Sequence, residues 1–189
     1  MKKDKPFYIL IFKGVLIILL AGQAAFPVYT IIKSELALNS GAEYKFLVRP
    51  ADPYDPFRGR FVTLMFENST AKAFAVLKYN EMADGVLFVD KDGFSYVSEL
   101  YKHKTVKSSD AVVTVRITGK ISKNAETRFE YLNNKLFMNE KIAPAVDRAM
   151  RAYNGKIYVK ASVKNGDMIL KNLYFDGVEA SEYVKKEVK

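Results

Sequence analysis

Apolar residues fall into two regimes along this chain. From Phe7 to Ile32 they run almost unbroken, with Lys13 and Gln23 as interruptions, and Gly14 to Val28 carries no charge. A bilayer core takes about 20 apolar residues as a helix. The stretch therefore predicts a membrane-spanning helix, with Lys13 reaching back to the headgroups. Phe7, Tyr8, Phe26 and Tyr29 lie near its two ends, where aromatic rings favour the interface. Pro27 falls near the predicted helix exit, where a lost hydrogen bond can be replaced. A cleaved signal peptide is the rival, with Gly22-Gln23-Ala24 as a small-x-small site. The apolar run continues past that site, which favours retention.

Beyond Lys33 the hydrophobic period shortens to two, the signature of strands. Glu43 to Val48 predicts a strand ending at Arg49-Pro50. Pro50 to Pro56 is dense in proline and aspartate, which predicts a turn-rich loop. Phe61 to Glu67 predicts a strand with apolar residues on both faces, and so burial on both sides. Phe74 to Lys78 predicts another. Val86 to Val89 and Phe94 to Tyr101 form a hairpin around Asp90-Lys91-Asp92-Gly93. Ala111 to Ile117 and Thr127 to Tyr131 complete this set.

One stretch changes period again. Ile142, Val146, Met150 and Tyr153 make a helical stripe within Glu140 to Tyr153, with Asn139 as the expected N-cap and Asn154-Gly155 as the stop. Pro144 then sits past the ideal first position. A last hairpin joins Lys156–Val163 to Met168–Phe175. The lysine-rich tail from Ser181 is expected to fray. The expected organisation is an anchor over 1–33, a domain over 34–180 and a flexible tail over 181–189. The expected fold class is α+β: a transmembrane helix, then a mostly antiparallel sheet or partly open barrel with one packed helix.

Composition narrows the chemistry. There is no cysteine and one histidine, His103. That excludes thiol nucleophiles, disulfides and cysteine- or histidine-rich metal sites. Net charge is +9. Lys2, Lys3, Lys5 and Lys13 precede or open the apolar run and orient the N-terminus inward, placing the domain outside the cytoplasm. The remaining positive charge is spread out, which suits anionic lipid or cell-wall polymer better than nucleic acid, for which no motif is present.

The densest polar cluster is the loop holding Arg49, Asp52, Asp55, Arg58 and Arg60. It is either a recognition loop or a structural one, in which aspartates cap proline turns and arginines pair with them. The segment Arg49-Pro50-Ala51-Asp52-Pro53-Tyr54-Asp55-Pro56-Phe57-Arg58-Gly59-Arg60-Phe61-Val62-Thr63-Leu64-Met65-Phe66 resembles the signature of the bacterial GDYXXLXY family. Gly59 and Leu64 match the named pattern. Arg60 stands where the pattern has aspartate, and Phe61 and Phe66 where it has tyrosines. Pro50, Gly59, Phe61, Leu64 and Phe66 are thus expected to be structural positions. Phe137 to Gly155 and Lys156 to Gly177 look like the family's later helix and closing hairpin. The resemblance implies a membrane anchor, an outer domain and association with multi-span membrane proteins. It implies no catalytic residue and no cofactor.

Other candidates are thin. His103 lies among lysines at a strand end and is expected to be solvated, without a catalytic partner. Ser40, Ser69, Ser95, Ser98 and Lys78 sit in no nucleophile motif. Asp90 to Gly93 lacks the later ligands of a calcium loop. The expectation is a non-catalytic accessory or assembly subunit of an integral membrane partner in the bacterial cytoplasmic membrane. An envelope ligand-binding or sensing domain using the Arg49–Arg60 loop, and an envelope hydrolase, are the alternatives.

Overall fold

The computed structural model describes residues 7–51, 61–107, 111–119 and 125–187. The chain divides into two units, Met1–Leu36 and Ala37–Lys189. Helix α1 spans Phe7–Ser40, longer than the apolar run, and Pro27 lies inside it. Its Ile11–Ser40 stretch contains a window of mean hydropathy 2.1, long and apolar enough to cross a membrane. The side chains of residues 11–36 are exposed throughout. Apolar side chains bare on all sides suit lipid as solvent. Thr30 Oγ1 donates to the Phe26 carbonyl at 3.0 Å, a local bond beside the proline.

The second unit is α+β and holds two sheets around one apolar core. β1 (Ala42–Pro50), β2 (Phe61–Phe66), β8 (Lys135–Phe137), β9 (Ile157–Lys164), β10 (Asp167–Phe175) and β11 (Val178–Glu179) form one sheet in the order β11-β10-β9-β1-β2-β8. β3 (Thr70–Ala73), β4 (Met82–Val89), β5 (Ser95–Lys102), β6 (Val112–Ile117) and β7 (Glu126–Tyr131) close into a barrel in the order β3-β5-β4-β6-β7. The β3–β5 pair is parallel and the other barrel pairs are antiparallel. A five-stranded barrel is narrow, since diameter grows with strand number. Small buried residues suit it: Ala71, Ala73 and Ala83. At Gly85 an added Cβ would meet Val97 Cγ1 at 2.9 Å.

Several strands follow the sequence pattern. The β9–β10 hairpin turns through Asn165 and Gly166, both at positive φ, as a two-residue turn matched to strand twist requires. The β4–β5 turn is held by Asp90 Oδ1, which accepts from Asp92 N at 2.9 Å and Phe94 N at 2.8 Å. Other expectations are corrected. The strand expected at Phe74 to Lys78 is instead β3, earlier by four residues. Phe74 makes the last backbone bond to β5, its N donating to the Leu100 carbonyl at 2.9 Å while its ring stacks on Tyr101 at 5.3 Å, and Leu77 alone of that run is buried deeply. β2 buries Val62, Leu64 and Phe66 but leaves Met65 exposed, so one face is covered.

Helix α2 spans Ala143–Ala152 and starts later than expected. Asn139 does not cap it; its Oδ1 accepts from Lys141 N in a preceding turn, and Pro144 then falls in the first turn, where its missing N–H costs nothing. Val146 and Met150 are buried in the core, with Ile142 and Tyr153 at its edge. The C-terminal segment expected to fray forms α3, Ala180–Glu187, with Ala180 and Val184 buried. Tyr153, Phe175 and Tyr183 stack within 5.6 Å of one another and tie α2, β10 and α3 together. Ala180 just before the lysine-rich tail and Val184 within it, four apart, are enough for one buried face.

Glu43 on β1 lies 3.3 Å from Lys160 Nζ and 3.4 Å from Lys171 Nζ. Partial burial pushes its carboxyl up, but the hydrogen bonds and charges of both lysines together outweigh that and hold it below the usual 4.5. The Lys160 ammonium is raised from 10.5, chiefly by its bond to Glu43. Glu43 therefore stabilises the fold above its unfolded pKa, and that contribution is lost as pH falls through its lower folded value. Lys160 contributes below its unfolded pKa and loses this as pH rises through its raised one. Glu43→Gln is expected to flatten the fall in Tm between about pH 5 and pH 2. Superimposable Tm profiles for parent and variant over that range would contradict the assignment.

Candidate functional site

The Arg49–Arg60 loop connects β1 to β2. Arg49 and Pro50 end β1, opposite Met65 and Leu64. Asp52, Asp55, Arg58, Gly59 and Arg60 lie outside the described residues. The stem of the loop is well defined. Ala51 N donates to the Thr63 carbonyl at 3.3 Å, and the Ala51 carbonyl accepts from Arg151 Nη2 at 2.7 Å. Arg151 is aligned by Asp147, one helical turn earlier, at 3.2 Å. Helix α2 therefore braces the stem. Nothing in the local pattern marks Arg151 as a partner of this loop; its i, i+4 pairing with Asp147 is the available signal. Arg49 Nε lies 3.7 Å from Glu67 Oε1, with both side chains largely exposed. Such a pair adds little stability.

A cleft of about 170 Å³ opens beside Ala51, between Met65, Ser69 and Asn134. Phe66 and Tyr131 wall it from a second cleft of about 270 Å³ on their other side. The two rings sit 4.2 Å apart and are both buried. Burial pushes the Tyr131 phenol well above its ordinary value of 10.0, against a smaller opposing pull from the Val97 backbone. Asn68 ties the wall to the barrel: its Oδ1 accepts from Val97 N at 2.9 Å and from Tyr131 OH at 3.4 Å.

A model of this family, described as GDYXXLXY protein, matches residues 23–173, well over half of the chain. The chain belongs to the GDYXXLXY family. No curated protein and no solved structure matches it. The GDYXXLXY match runs from within α1 to within β10, so it takes in the whole barrel and stops short of α3. Of the GDYXXLXY positions, Leu64 and Phe66 point into the core. Phe61 lies half-buried on the opposite face of β2. Its ring meets Phe137 of β8 at 5.7 Å, and Lys135 Nζ sits 5.0 Å from its centroid.

The isolated candidates divide. His103, expected to be solvated and unpartnered, has a partner: its Nδ1 lies 2.8 Å from Oδ1 of Asp84, a buried carboxylate on β4. Sequence analysis missed Asp84, although an acid between Ala83 and Gly85 in an apolar strand demands a partner if buried. Ser40 accepts a short hydrogen bond from Lys164 Nζ, a serine–lysine contact at an exposed position. A lysine base works through desolvation, and that surrounding is missing here. Among the described residues, no three His, Asp or Glu side chains gather as a metal site would require.

Proposed function

We propose that this protein is a non-catalytic accessory or assembly subunit. In this proposal it is anchored by α1 in the bacterial cytoplasmic membrane, N-terminus inside, and its outer domain docks onto an integral membrane partner. One observation carries the reading. The family signature builds the β1–β2 pair, whose outer face leaves apolar side chains exposed among Arg49, Thr63 and Lys135. Met65 is 48% exposed, Phe137 of the neighbouring β8 is 71% exposed, and Phe61 lies against it. Exposed contiguous apolar surface costs solubility and marks interaction sites. β8 is also a sheet edge of three residues, with backbone groups available on one side. The lysines flanking the apolar run support the orientation.

The test is affinity purification from membranes after in vivo cross-linking through a photoreactive residue at position 137. Recovery of an integral membrane protein, lost when Met65→Asp is added, is expected. Failure to recover any with and without cross-linking would defeat the proposal. The clefts beside the loop stem favour the second reading, an outer ligand-binding domain.

A further inference from the structure

The larger cleft beside Phe66 and Tyr131 differs in charge from the chain around it. The protein carries 30 lysines and arginines against 21 acids. The residues lining this cleft include Glu67 and Asp90 and no lysine or arginine. Its volume of about 270 Å³ lies just below the roughly 300–1,000 Å³ of drug-sized sites. It therefore suits a small ligand. Two further aromatic residues, Phe94 and Tyr96, also line the cleft. These rings come from the start of β5, whose position is fixed by the Asp90 turn. Asp90 uses one oxygen, Oδ1, to hold that turn.

Aromatic faces carry the negative lobe of the ring quadrupole, and carboxylates supply net charge. Together they form the recognition chemistry of an organic cation. Lys156 Nζ already sits 5.3 Å from the centroid of the Phe94 ring, and the Arg49 guanidinium sits 3.7 Å from Glu67. That exposed pair is weak enough to be displaced. We propose that this cleft binds a small organic ammonium ion, its charge facing Glu67 and Asp90 and its alkyl groups lying on Phe94 and Tyr96. The inference does not rest on the docking role. It assigns the domain a soluble ligand of its own.

The probes are choline and its uncharged isostere 3,3-dimethyl-1-butanol, titrated calorimetrically into the full chain in non-ionic detergent. Choline is expected to bind saturably with Kd near or below about 1 mM, and the isostere at least about tenfold more weakly. Glu67→Gln with Asp90→Asn, and separately Tyr96→Ala, should each weaken choline about tenfold. These side chains are exposed at the surface, apart from the one Asp90 oxygen that an asparagine also supplies. Arg49→Ala should tighten choline binding severalfold by removing the competing cation, a gain that misfolding cannot produce. Absence of saturable choline binding overturns the proposal. So does equal affinity for the isostere, indifference to the Glu67 and Asp90 changes, or unchanged affinity in Arg49→Ala.

Discussion

Replacing Phe46 with alanine is expected to destabilise the outer domain by about 3–5 kcal/mol, the range for large aromatic truncations in close-packed cores. Phe46 is 1% exposed and stands where the sheet meets the barrel. Its ring meets Phe66 at 5.8 Å and Tyr131 at 5.6 Å, both edge-on, and Tyr44 at 6.4 Å. Truncation forfeits the buried ring and also leaves a cavity whose walls come from separate strands. Three of those strands belong to two different sheets, so collapse around the gap would have to move both. Phe137→Ala serves as the control, because an exposed side chain is expected to stay within about 0.5 kcal/mol of the parent. Urea unfolding followed by far-UV circular dichroism measures both, the chain having no tryptophan. A loss below about 1 kcal/mol for Phe46→Ala would mean that this junction is not close-packed.

The Asp84–His103 pair gives the second large effect. Asp84 is 4% exposed. Its Oδ1 meets the imidazole at 2.8 Å, and its Oδ2 accepts from Val106 N at 3.4 Å. The pair fastens the turn after β5 onto the barrel. His103→Ala leaves the carboxylate without its main partner and is expected to cost about 1–3 kcal/mol. An unpaired amide costs less to bury than an unpaired carboxylate. Asp84→Asn should therefore recover part of the loss in the His103→Ala background while being destabilising alone. The coupling in that double-mutant cycle should fall between about 0.5 and 3 kcal/mol. Strictly additive effects would show that the two side chains do not depend on one another.

Much of the fold was legible because period speaks directly to burial. Runs of strand-forming residues gave β1, β2, β6 and β7, and the Asn165-Gly166 and Asp90–Gly93 turns placed two hairpins through chemistry local to each. What escaped was set by distant partners. Phe74 looks like the start of a strand but stacks on Tyr101, and Thr70 to Ala73 pairs instead, since its alanines fit the narrow barrel. No periodicity announces that a sheet will close on itself. The tail at Ser181 looked solvated by composition, because its lysines outnumber Val184, the one described residue that it buries. At the candidate loop, sequence located Arg49 and Pro50 at a strand end. It could not show that Arg151, about 100 residues away, would hold the neighbouring carbonyl. His103 looked bare because its partner lies on another strand.

The place of β1 in its sheet has a consequence for how the domain comes into being. β1 is the first strand to leave the ribosome, and its longest pairing is with β9, from Ala42 against Val163 to Leu47 against Tyr158. The intervening barrel can close by itself from neighbouring strands, whereas β1 must wait for almost the whole chain to be made. At about 5–20 residues per second, that wait lasts many seconds, during which β1 has its short pairing with β2, and Phe46 has Phe66 and then Tyr131 beside it, but the longer edge of the strand is open. Non-local pairing of this kind is slow and exposes aggregation-prone edges. Synthesis thus leaves the strand closest in sequence to α1 half-paired until β9 emerges, so shielding of nascent β1 is expected to raise the yield of this protein.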